Sequence, residues 1–331
     1  MNIFKDKTIF ITGGTGSFGQ RCTEILLKLK PKKIIIFSRD ELKQFEMSNK
    51  FKDKSLRFFL GDVRDLSRLE IAMQNVDYVI HTAALKQVPA AEYNPMECIK
   101  TNIIGAENVI KSCLTNKIQK VIALSTDKAA NPINLYGATK LCSDKLFVNA
   151  HHLRGNTGTK LAVVRYGNVV GSRGSVLPYF KELIKNNEKS LPITHKEMTR
   201  FWITLDEGIN FVLNCFSLMR GGELFIPKMP SIKITDLAKS LKQDIKFKFI
   251  GIRPGEKIHE TLCPQESSRD TIEFKKYFVI RPSTDFSRGR SKNYLLSAEN
   301  EKGTNVKDDY IYSSDKNSHF LNISDIKKLN N

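Results

Sequence analysis

The sequence predicts an α/β fold in which a doubly wound parallel sheet is joined to a smaller second domain. Short apolar runs of strand length alternate with helical segments, a glycine-rich turn joins the first run to the first helix, and polar or small residues follow the runs. This alternation is typical of a Rossmann-type sheet with an interleaved C-terminal domain. With 331 residues and 40% apolar composition, the chain can bury both cores.

The first predicted strand, residues 7–12, leads into a glycine-rich turn and then into a helix at residues 21–29. The turn satisfies both Gly-x-Gly-x-x-Gly and Thr-Gly-x-x-Gly-x-x-Gly. Glycines allow a tight turn and a close approach of the backbone to a pyrophosphate, and the helix N-terminus offers free N–H groups. A purely structural turn is the alternative, but the strand–turn–helix context predicts a dinucleotide site formed by Gly13, Gly14, Thr15, Gly16, Ser17, Phe18 and Gly19.

The residues after the second strand, 33–37, bear on the choice of dinucleotide. A carboxylate at this position accepts a hydrogen bond from the ribose 2′-hydroxyl of NAD. Here Ser38 and Arg39 come first, and Lys43 follows one turn later. Two cations and a hydroxyl suit a 2′-phosphate, so the sequence favours NADP. Asp40 is a carboxylate close to the same position, so NAD remains an alternative. The alternative for Arg39 and Lys43 is that they belong to an ordinary solvated charged face.

Three later strands end in residues suited to a bound ligand, because ligands of open α/β sheets bind beyond the carboxyl ends of the strands. Asp62 is expected to accept a hydrogen bond from the adenine amino group. His81 lacks a partner at metal-ligand spacing and is expected to make a structural hydrogen bond. In chain order, the residues that follow these strands are Asp62 and Val63, then His81, Ala83 and Ala84, then Ser125 and Thr126.

A tyrosine and a lysine four residues apart follow the last of these strands. On a helix, Tyr136 and Lys140 share one face. A free tyrosine titrates near pH ~10, and a nearby ammonium is expected to lower that pKa, so the pair can move a hydroxyl proton. Asp127 and Lys128 supply a second proton-transfer pair, which simple alcohol oxidation does not need. The spacing alone also occurs by chance on solvated helices.

Taken in order, these motifs resemble the extended short-chain dehydrogenase/reductase superfamily, whose members act mostly on nucleotide sugars. The resemblance rests on the glycine turn, Asp62-Val63, the small residues at 83–84, Asn102, Tyr-x-x-x-Lys and the segment 165–169. Asp127-Lys128 followed by Ala-Ala-Asn-Pro-Ile-Asn-Leu-Tyr-Gly-Ala-Thr-Lys is similar to the C5-inverting UDP-N-acetylglucosamine 4,6-dehydratases, which begin bacterial pseudaminic acid synthesis. The segments 86–89 and 253–257 match the same family.

The resemblance implies a role for each proton-transfer residue. Tyr136, assisted by Lys140 and Thr126, would take the C4 hydroxyl proton of UDP-N-acetylglucosamine while a C4 hydride passes to NADP⁺. Lys128, with a pKa lowered by Lys140 and partial burial, would remove the C5 proton, and Asp127 would protonate the departing C6 hydroxyl. Return of the hydride to C6 and of a proton to the opposite face of C5 gives UDP-2-acetamido-2,6-dideoxy-β-L-arabino-hex-4-ulose and water.

The resemblance also implies ligand-binding residues and a biological setting. Lys86 and Ser125 would complete the cofactor site together with Tyr136 and Lys140, and no metal ion is expected. The substrate site would comprise Lys86, Asn168, Val176, Leu177, Arg200, Arg253 and Glu256. The two arginines suit a diphosphate and Glu256 suits ribose hydroxyls, although an ion pair within the protein is an equal alternative for Arg200. A homo-oligomer and a product destined for surface structures such as flagellin are also implied.

The predicted domain boundaries follow the motifs. Residues 1–171 form the NADP-binding domain, and residues 172–200 and 226–331 form the substrate-binding lobe and the C-terminal tail. Thr204-Leu205-Asp206-Glu207 is a capping box before an apolar helix at residues 208–219. By resemblance, residues 201–225 return to the nucleotide domain, so the domains interleave. The polar stretch 287–315 is expected to be mobile and carries no predicted chemistry.

Composition bears on partners and location. The net charge of +18 suits polyanionic small ligands, whereas dispersed lysines without interleaved aromatics argue against nucleic-acid binding. The sequence has no 18-residue apolar run, so no membrane span is expected. The first strand begins by about residue 7, which leaves no room for a signal peptide, and six scattered cysteines are typical of reduced thiols. A cytoplasmic location is therefore expected.

The sequence leaves other functions open. A UDP-sugar 4-epimerase would share the cofactor site and the Tyr-x-x-x-Lys pair but has no need of Asp127 and Lys128. A retaining 4,6-dehydratase would differ only in its C5 stereochemistry. An NADP-sensing or RNA-binding protein can use the same scaffold, because fold does not fix function. The intact pair of Tyr136 and Lys140 favours an enzyme.

Overall fold

The computed structural model describes residues 2–153, 155, 157–171, 174–283 and 293–330; the side chain of residue 151 is also left out. Residues 172–173 of the predicted lobe and 287–292 of the predicted mobile stretch therefore lie outside the described residues. The strands, numbered along the chain, are β1 (Thr8–Thr12), β2 (Lys33–Ser38), β3 (Leu56–Leu60), β4 (Tyr78–His81), β5 (Lys120–Thr126), β6 (Lys160–Tyr166), β7 (Asn168–Val169), β8 (Ser190–Ile193), β9 (Thr199–Ile203), β10 (Leu224–Pro227), β11 (Ser231–Lys233), β12 (Lys246–Phe249), β13 (Thr261–Cys263), β14 (Thr271–Glu273), β15 (Tyr277–Ile280), β16 (Thr304–Asn305) and β17 (Tyr312–Ser313).

Helices cover both faces of the central sheet and build the second core. A π-helix (Lys100–Ile104) joins two of them, and 3₁₀ turns occupy Asp127–Ala129, Ala150–His152 and Gln265–Asp270. The α-helices are α1 (Ser17–Leu27), α2 (Glu41–Lys50), α3 (Leu66–Ala72), α4 (Val88–Tyr93), α5 (Pro95–Ile99), α6 (Gly105–Thr115), α7 (Leu135–Asn149), α8 (Val176–Lys185), α9 (Leu205–Leu218), α10 (Ile234–Leu241) and α11 (Ile323–Asn330).

The predicted doubly wound parallel sheet is confirmed. Its parallel part has the order β10-β6-β5-β4-β1-β2-β3, with β1 at the point where the winding reverses. Strands β1 and β4 are buried along their whole length, as expected for parallel strands covered by helices on both faces. The carboxyl ends lie side by side, since Thr12 of β1 is opposite His81 of β4, which in turn is opposite Ala123 of β5.

The sheet extends beyond the strands expected from the sequence. Strand β15 pairs antiparallel with β10, β14 pairs with β15, and β16 pairs with β14. The sequence assigned this part of the chain to the substrate lobe, whereas the structure adds it to the edge of the nucleotide-binding sheet. Tyr277 and Phe278 of β15 are buried in the main core, which explains why the extension is stable there.

Helix α9 packs against the main sheet. It packs on α1, β5 and β6, and the predicted capping box is present, with Thr204 as the N-cap and Glu207 reaching back to it. Arg21 of α1 donates to Asp206 at the start of α9 over 2.6 Å. The first turn of α9 is thereby tied to the helix that follows the glycine turn.

A second, smaller core lies between α8, α10, α11 and the short strands beside them. It contains Leu177, Trp202 and Ile326, all buried. Strand β9 separates the two cores, because Phe201 faces the main core while Trp202 faces the second one.

Two further findings concern the chain as a whole. No helix in the described part of the chain combines the length and apolar character that a bilayer span requires. All six cysteines are free thiols, and only Cys142 is exposed.

Candidate active site

A cavity of about 940 Å³ lies over the carboxyl ends of the parallel strands. This is the place and the size expected for a dinucleotide with part of a second ligand. The cavity brings together most of the residues predicted from sequence. Those that line it are Gly13, Thr15, Gly16, Ser17, Phe18, Gly19, Ser38, Arg39, Lys43, Asp62, Val63, Ala83, Ala84, Lys86, Ser125, Thr126, Asp127, Lys128, Tyr136, Lys140 and Asn168.

The glycine turn has space for backbone only. Gly13 has φ +64°, and a Cβ there would lie 2.9 Å from Thr82 Oγ1. A Cβ on Gly19 would lie 2.3 Å from the carbonyl oxygen of Gly14, so α1 can pack tightly against the turn only with glycine at this position. Helix α1 begins at Ser17 beside the cavity, where its free N–H groups suit a pyrophosphate. These features fit a dinucleotide.

The cations predicted to hold a 2′-phosphate are already paired with carboxylates. Arg39 Nη1 lies 3.6 Å from Asp62 Oδ2, and the Lys43 ammonium contacts Asp40. Arg64 donates to the same Asp62 carboxylate over 2.7 Å. Burial acts to raise the pKa of Asp62, but the hydrogen bonds from Arg64 and its positive charge hold that pKa below its usual range. The carboxylate therefore stays an acceptor.

His81 makes the structural hydrogen bond expected from its spacing. Its Nδ1 lies 2.8 Å from Thr12 Oγ1, which also accepts from the backbone N–H groups of Thr82 and Ala83. Burial, followed by the charge of Lys140, lowers the pKa of His81 to about 3. The imidazole is neutral at physiological pH and holds the loop after β4 against the end of β1.

The ammonium of Lys140 is buried beside a charged network that the sequence did not reveal. Arg165 donates to Asp144 Oδ2 over 2.9 Å, and Ser125 Oγ donates to the same oxygen over 2.7 Å. Burial lowers the pKa of Lys140, and the charge of Asp144 partly offsets that shift. Asp144 follows Lys140 by one helical turn, so α7 carries both the lysine and its counter-ion.

The expected lowering of the Tyr136 pKa by Lys140 is not found. Burial raises the pKa of Tyr136 to about 12, although the Lys128 charge and the Thr126 side chain act in the opposite direction. The ammonium that acts on the phenol is therefore that of Lys128. In the protein alone, the desolvation of a phenolate outweighs the nearby positive charge.

The pKa of Lys128 was also predicted in the wrong direction. Its ammonium lies 3.1 Å from Asp127 Oδ1 and 3.3 Å from Glu260 Oε1, so it is held between two carboxylates. Burial alone would lower its pKa, but the charges of Asp127 and Glu260 raise it above its usual range. Lys128 is therefore a protonated ammonium in this state of the protein, and Glu260 is a site residue that sequence reasoning missed.

Helix α7 begins at a junction that aligns Tyr136 with the turn Asp127–Ala129. Asn134 caps the helix by accepting from the Gly137 N–H over 2.7 Å, and its amide donates to the carbonyl of Gly255 over 2.8 Å. A Cβ on Gly137 would lie 2.1 Å from the carbonyl oxygen of Lys128. Sequence reasoning did not single out Gly137, for which the one signal is a glycine directly after Tyr136.

Several predicted ligand residues do not line the cavity. Arg200 is buried, donates to the backbone carbonyls of residues 199, 257 and 258, and lies 3.6 Å from Glu256 and 3.8 Å from Glu260, as in the ion-pair alternative. Arg253 is exposed and pairs with Glu256 over 2.8 Å. Leu177 packs in the second core with Val176 against it, and Gly14 is buried, with Ile36 2.9 Å from where a Cβ would lie.

The fold and the site define the class of protein. A doubly wound sheet with this glycine turn and a buried Tyr-x-x-x-Lys pair at the strand ends is that of an extended short-chain dehydrogenase/reductase, as predicted. The chain belongs to the family described as polysaccharide biosynthesis protein, whose model matches residues 9–282.

Individual relatives cover nearly the whole chain. A Campylobacter jejuni protein named UDP-N-acetylglucosamine 4,6-dehydratase (inverting) is 58% identical over 316 residues, which are 95% of this chain and 94% of the relative. A Rickettsia canadensis protein named UDP-glucose 4-epimerase is 43% identical, over 99% of this chain and 96% of the relative. The solved structure of Pen from Bacillus thuringiensis matches with a TM-score of 0.88 and 37% identity, over 99% of this chain and 98% of that one.

Proposed function

We propose that the protein is a UDP-N-acetylglucosamine 4,6-dehydratase that inverts C5 and uses NADP. The predicted enzyme class, a sugar-nucleotide hydro-lyase, is confirmed by its close relatives. The observation that carries the proposal is the placement of Asp127 and Lys128 on the cavity wall beside Tyr136. Two adjacent proton-transfer pairs match a reaction that moves protons at both C4 and C5–C6.

The glycine turn and the N-terminus of α1 would hold the pyrophosphate of the dinucleotide, and Ser38, Arg39 and Lys43 would surround its 2′-phosphate. A bound nicotinamide dinucleotide supplies the capacity to accept a hydride from C4 and to return it to C6. The preference for NADP rests on the guanidinium of Arg39, because Asp40 is engaged by Lys43 and by its role as N-cap of α2.

At C4, the phenolate form of Tyr136 takes up the substrate hydroxyl proton and becomes the phenol. Its neighbours on the cavity wall are Thr126 and the buried Lys140. Because the pKa of Tyr136 is about 12 in the protein alone, further positive charge at the site is needed to bring the phenol toward its working range. The cation that already acts in this direction is Lys128, and a bound nicotinamide ring, which is positively charged in the oxidised dinucleotide, would add to it.

At C5 and C6, the pair Asp127 and Lys128 performs the elimination. A 4-ketone acidifies the C5 proton, the Lys128 amine removes it, and the Asp127 carboxylic acid protonates the departing C6 hydroxyl as water. Asp127 is buried, with Oδ1 bonded to Thr126 and Lys128. A different donor on the opposite face, Tyr136 or a water molecule, would return the proton to C5 and so invert it.

A 4-epimerase is the second candidate, and the Rickettsia canadensis relative carries that name. Epimerisation needs only hydride transfer at C4 and the proton transfer at Tyr136. It gives no role to a buried lysine held between Asp127 and Glu260. The dehydratase is therefore the better match to this site.

Several wider proposals follow from the same resemblance. The product would enter pseudaminic acid synthesis for glycosylation of surface structures such as flagellin. The enzyme would act in the cytoplasm as a homo-oligomer, with residues 172–200 and part of 226–331 forming the lobe that binds the UDP-sugar.

The test compares the wild-type enzyme with Asp127→Asn and Lys128→Ala, using UDP-N-acetylglucosamine and mass spectrometry. The wild type should give a product lighter by one water, and each variant should lose roughly 10²–10⁴-fold in rate, because a missing acid or base has that effect. Dinucleotide binding and thermal stability report whether the variants still fold. A wild-type product of unchanged mass, or near-wild-type turnover in both variants, would contradict the dehydratase.

A further inference from the structure

Glu260 is a buried carboxylate directly behind the proton-transfer pair. It precedes β13, and its backbone is fixed on both sides by Ser314, whose hydroxyl accepts from the Glu260 N–H over 2.9 Å and whose N–H donates to the Glu260 carbonyl over 2.8 Å. Only 2% of its surface is exposed. The backbone of β13 and β17 therefore sets where this carboxylate points.

The two oxygens of Glu260 have different surroundings. Oε1 lies 3.3 Å from Lys128 Nζ and 3.8 Å from Arg200 Nε. Oε2 is fully buried and has no hydrogen-bond partner among the described residues, and the same is true of Asp127 Oδ2 on the other side of the ammonium. A buried carboxylate oxygen without a donor is unfavourable when charged, whereas a proton on it removes that penalty.

Burial favours proton uptake by Glu260. Burial, followed by the negative charge of Asp127, raises the pKa of Glu260, while Lys128, Arg200 and Lys257 act in the opposite direction. These four residues lie in the turn after β5, in strand β9 and in the segment before β13. Glu260 therefore lies beside the Lys128 ammonium, which must lose one proton before it can act as a base.

We propose that Glu260 is a positioning residue that accepts the ammonium proton of Lys128, so that a neutral amine faces the sugar. This inference rests on the proposed dehydratase function. The Nζ–H bond of Lys128 breaks and an O–H bond forms on Glu260, which leaves an amine and a carboxylic acid. Asp127 enters this step as the carboxylic acid, after it has taken up a proton from solvent. The amine then takes the C5 proton, the C5–H electron pair expels the C6 hydroxyl, and the departing hydroxyl leaves as water with the Asp127 proton, so that Asp127 ends as a carboxylate.

The test is Glu260→Gln, which keeps the shape of the side chain but cannot take up a proton. At about pH 7, water release should fall by roughly 10²-fold. Because Lys128 must then lose its proton to solvent, the rate should rise about tenfold for each pH unit toward pH ~9, a slope that the wild type lacks. Glu273→Gln, an exposed change on β14 far from the cavity, should behave as the wild type.

Glu260→Asp provides rescue, because a shorter carboxylate still accepts a proton and should retain the wild-type pH profile at a lower rate. If the Glu260→Gln enzyme released water at an unchanged or faster rate at about pH 7, the inference would be overturned. That result is expected if Glu260 only holds the Lys128 ammonium in place and accepts no proton from it. Equal pH slopes in the Gln and Asp variants would also overturn it. If the wild type released no water, the proposed function would fail, and this inference with it.

Discussion

The two ends of the cavity differ in what they offer a ligand. At the predicted dinucleotide end, the glycine turn offers backbone: Gly13 and Gly19 leave no room for a side chain, and α1 presents free N–H groups. At the catalytic end, the wall is made of buried ionisable side chains. Lys128 is held between Asp127 and Glu260 there, and Lys140 lies one turn from Asp144.

This difference predicts how each end responds to mutation. A backbone cradle is sensitive to added volume and indifferent to a single charge, whereas a buried cluster is sensitive to each charge in it. The cluster also fixes protonation states, because the same carboxylates raise the pKa of Lys128 that burial alone would lower. Dinucleotide affinity and turnover should therefore separate in well-chosen variants.

Gly137 is an exception to this difference between the two ends, because at this position the catalytic end also depends on the absence of a side chain. Gly137→Ala places a Cβ 2.1 Å from the Lys128 carbonyl oxygen and forces α7 away from the turn Asp127–Ala129. We expect turnover to fall by about 10²-fold and the free energy of unfolding to fall by about 1–3 kcal/mol. Steady-state kinetics and urea unfolding measure both.

The matched control is Gly208→Ala on α9, where nothing lies within 4 Å of the added Cβ. It should gain about 0.5–1 kcal/mol, because alanine is the better helix former. If Gly137→Ala kept full turnover and stability, the contact between α7 and the turn would not hold Tyr136 in place.

Arg39 sharpens the contrast at the predicted dinucleotide end, because it adds a charged side chain to the backbone groups of the glycine turn. Arg39→Ala should weaken NADP binding by roughly 10–100-fold, the range for a lost hydrogen bond to a charged group, and leave NAD binding nearly unchanged. Isothermal titration with each dinucleotide measures this. Arg57→Ala, an exposed arginine on β3 that donates to backbone carbonyls, is the control. An equal loss of affinity for NADP and NAD would contradict the proposed preference for NADP.

His81 connects the two ends of the cavity, and its substitution gives the smallest of the expected effects. Its pKa falls from 6.5 to about 3 on folding, so between these values the unfolded chain binds a proton that the folded chain does not. The free energy of unfolding should therefore decrease as pH falls, by about 2 kcal/mol from pH ~6.5 to pH ~5. Urea unfolding of the wild type and of His81→Asn should diverge by this amount over that range; parallel curves would contradict a buried neutral His81.

The sequence predicted best what depends on neighbouring residues. The glycine turn, the ends of the parallel strands and the face shared by Tyr136 and Lys140 are each set within one strand, turn or helix. The structure places these residues as expected. Strand alternation and helix spacing carry that information directly.

Contacts between distant parts of the chain were not predictable in this way. Glu260 meets Lys128 only because β13 pairs with β17 beside the turn after β5, and Arg200 is drawn into the interior by the same segment. The directions of the Tyr136 and Lys128 pKa shifts were missed for the same reason: burial and partner carboxylates depend on tertiary packing.

The most direct test of the central claim, that this site eliminates water across C5–C6 with an internal hydride transfer, is proton NMR of the product formed from UDP-N-acetylglucosamine in deuterated water. We expect a 4-keto-6-deoxy sugar of L-arabino configuration under initial-rate conditions, with deuterium at C5 and with the hydrogen that arrives at C6 derived from substrate C4. A C5-labelled product of D-xylo configuration would contradict inversion alone. A product that keeps its C6 hydroxyl and carries no deuterium at C5 would contradict the dehydratase itself.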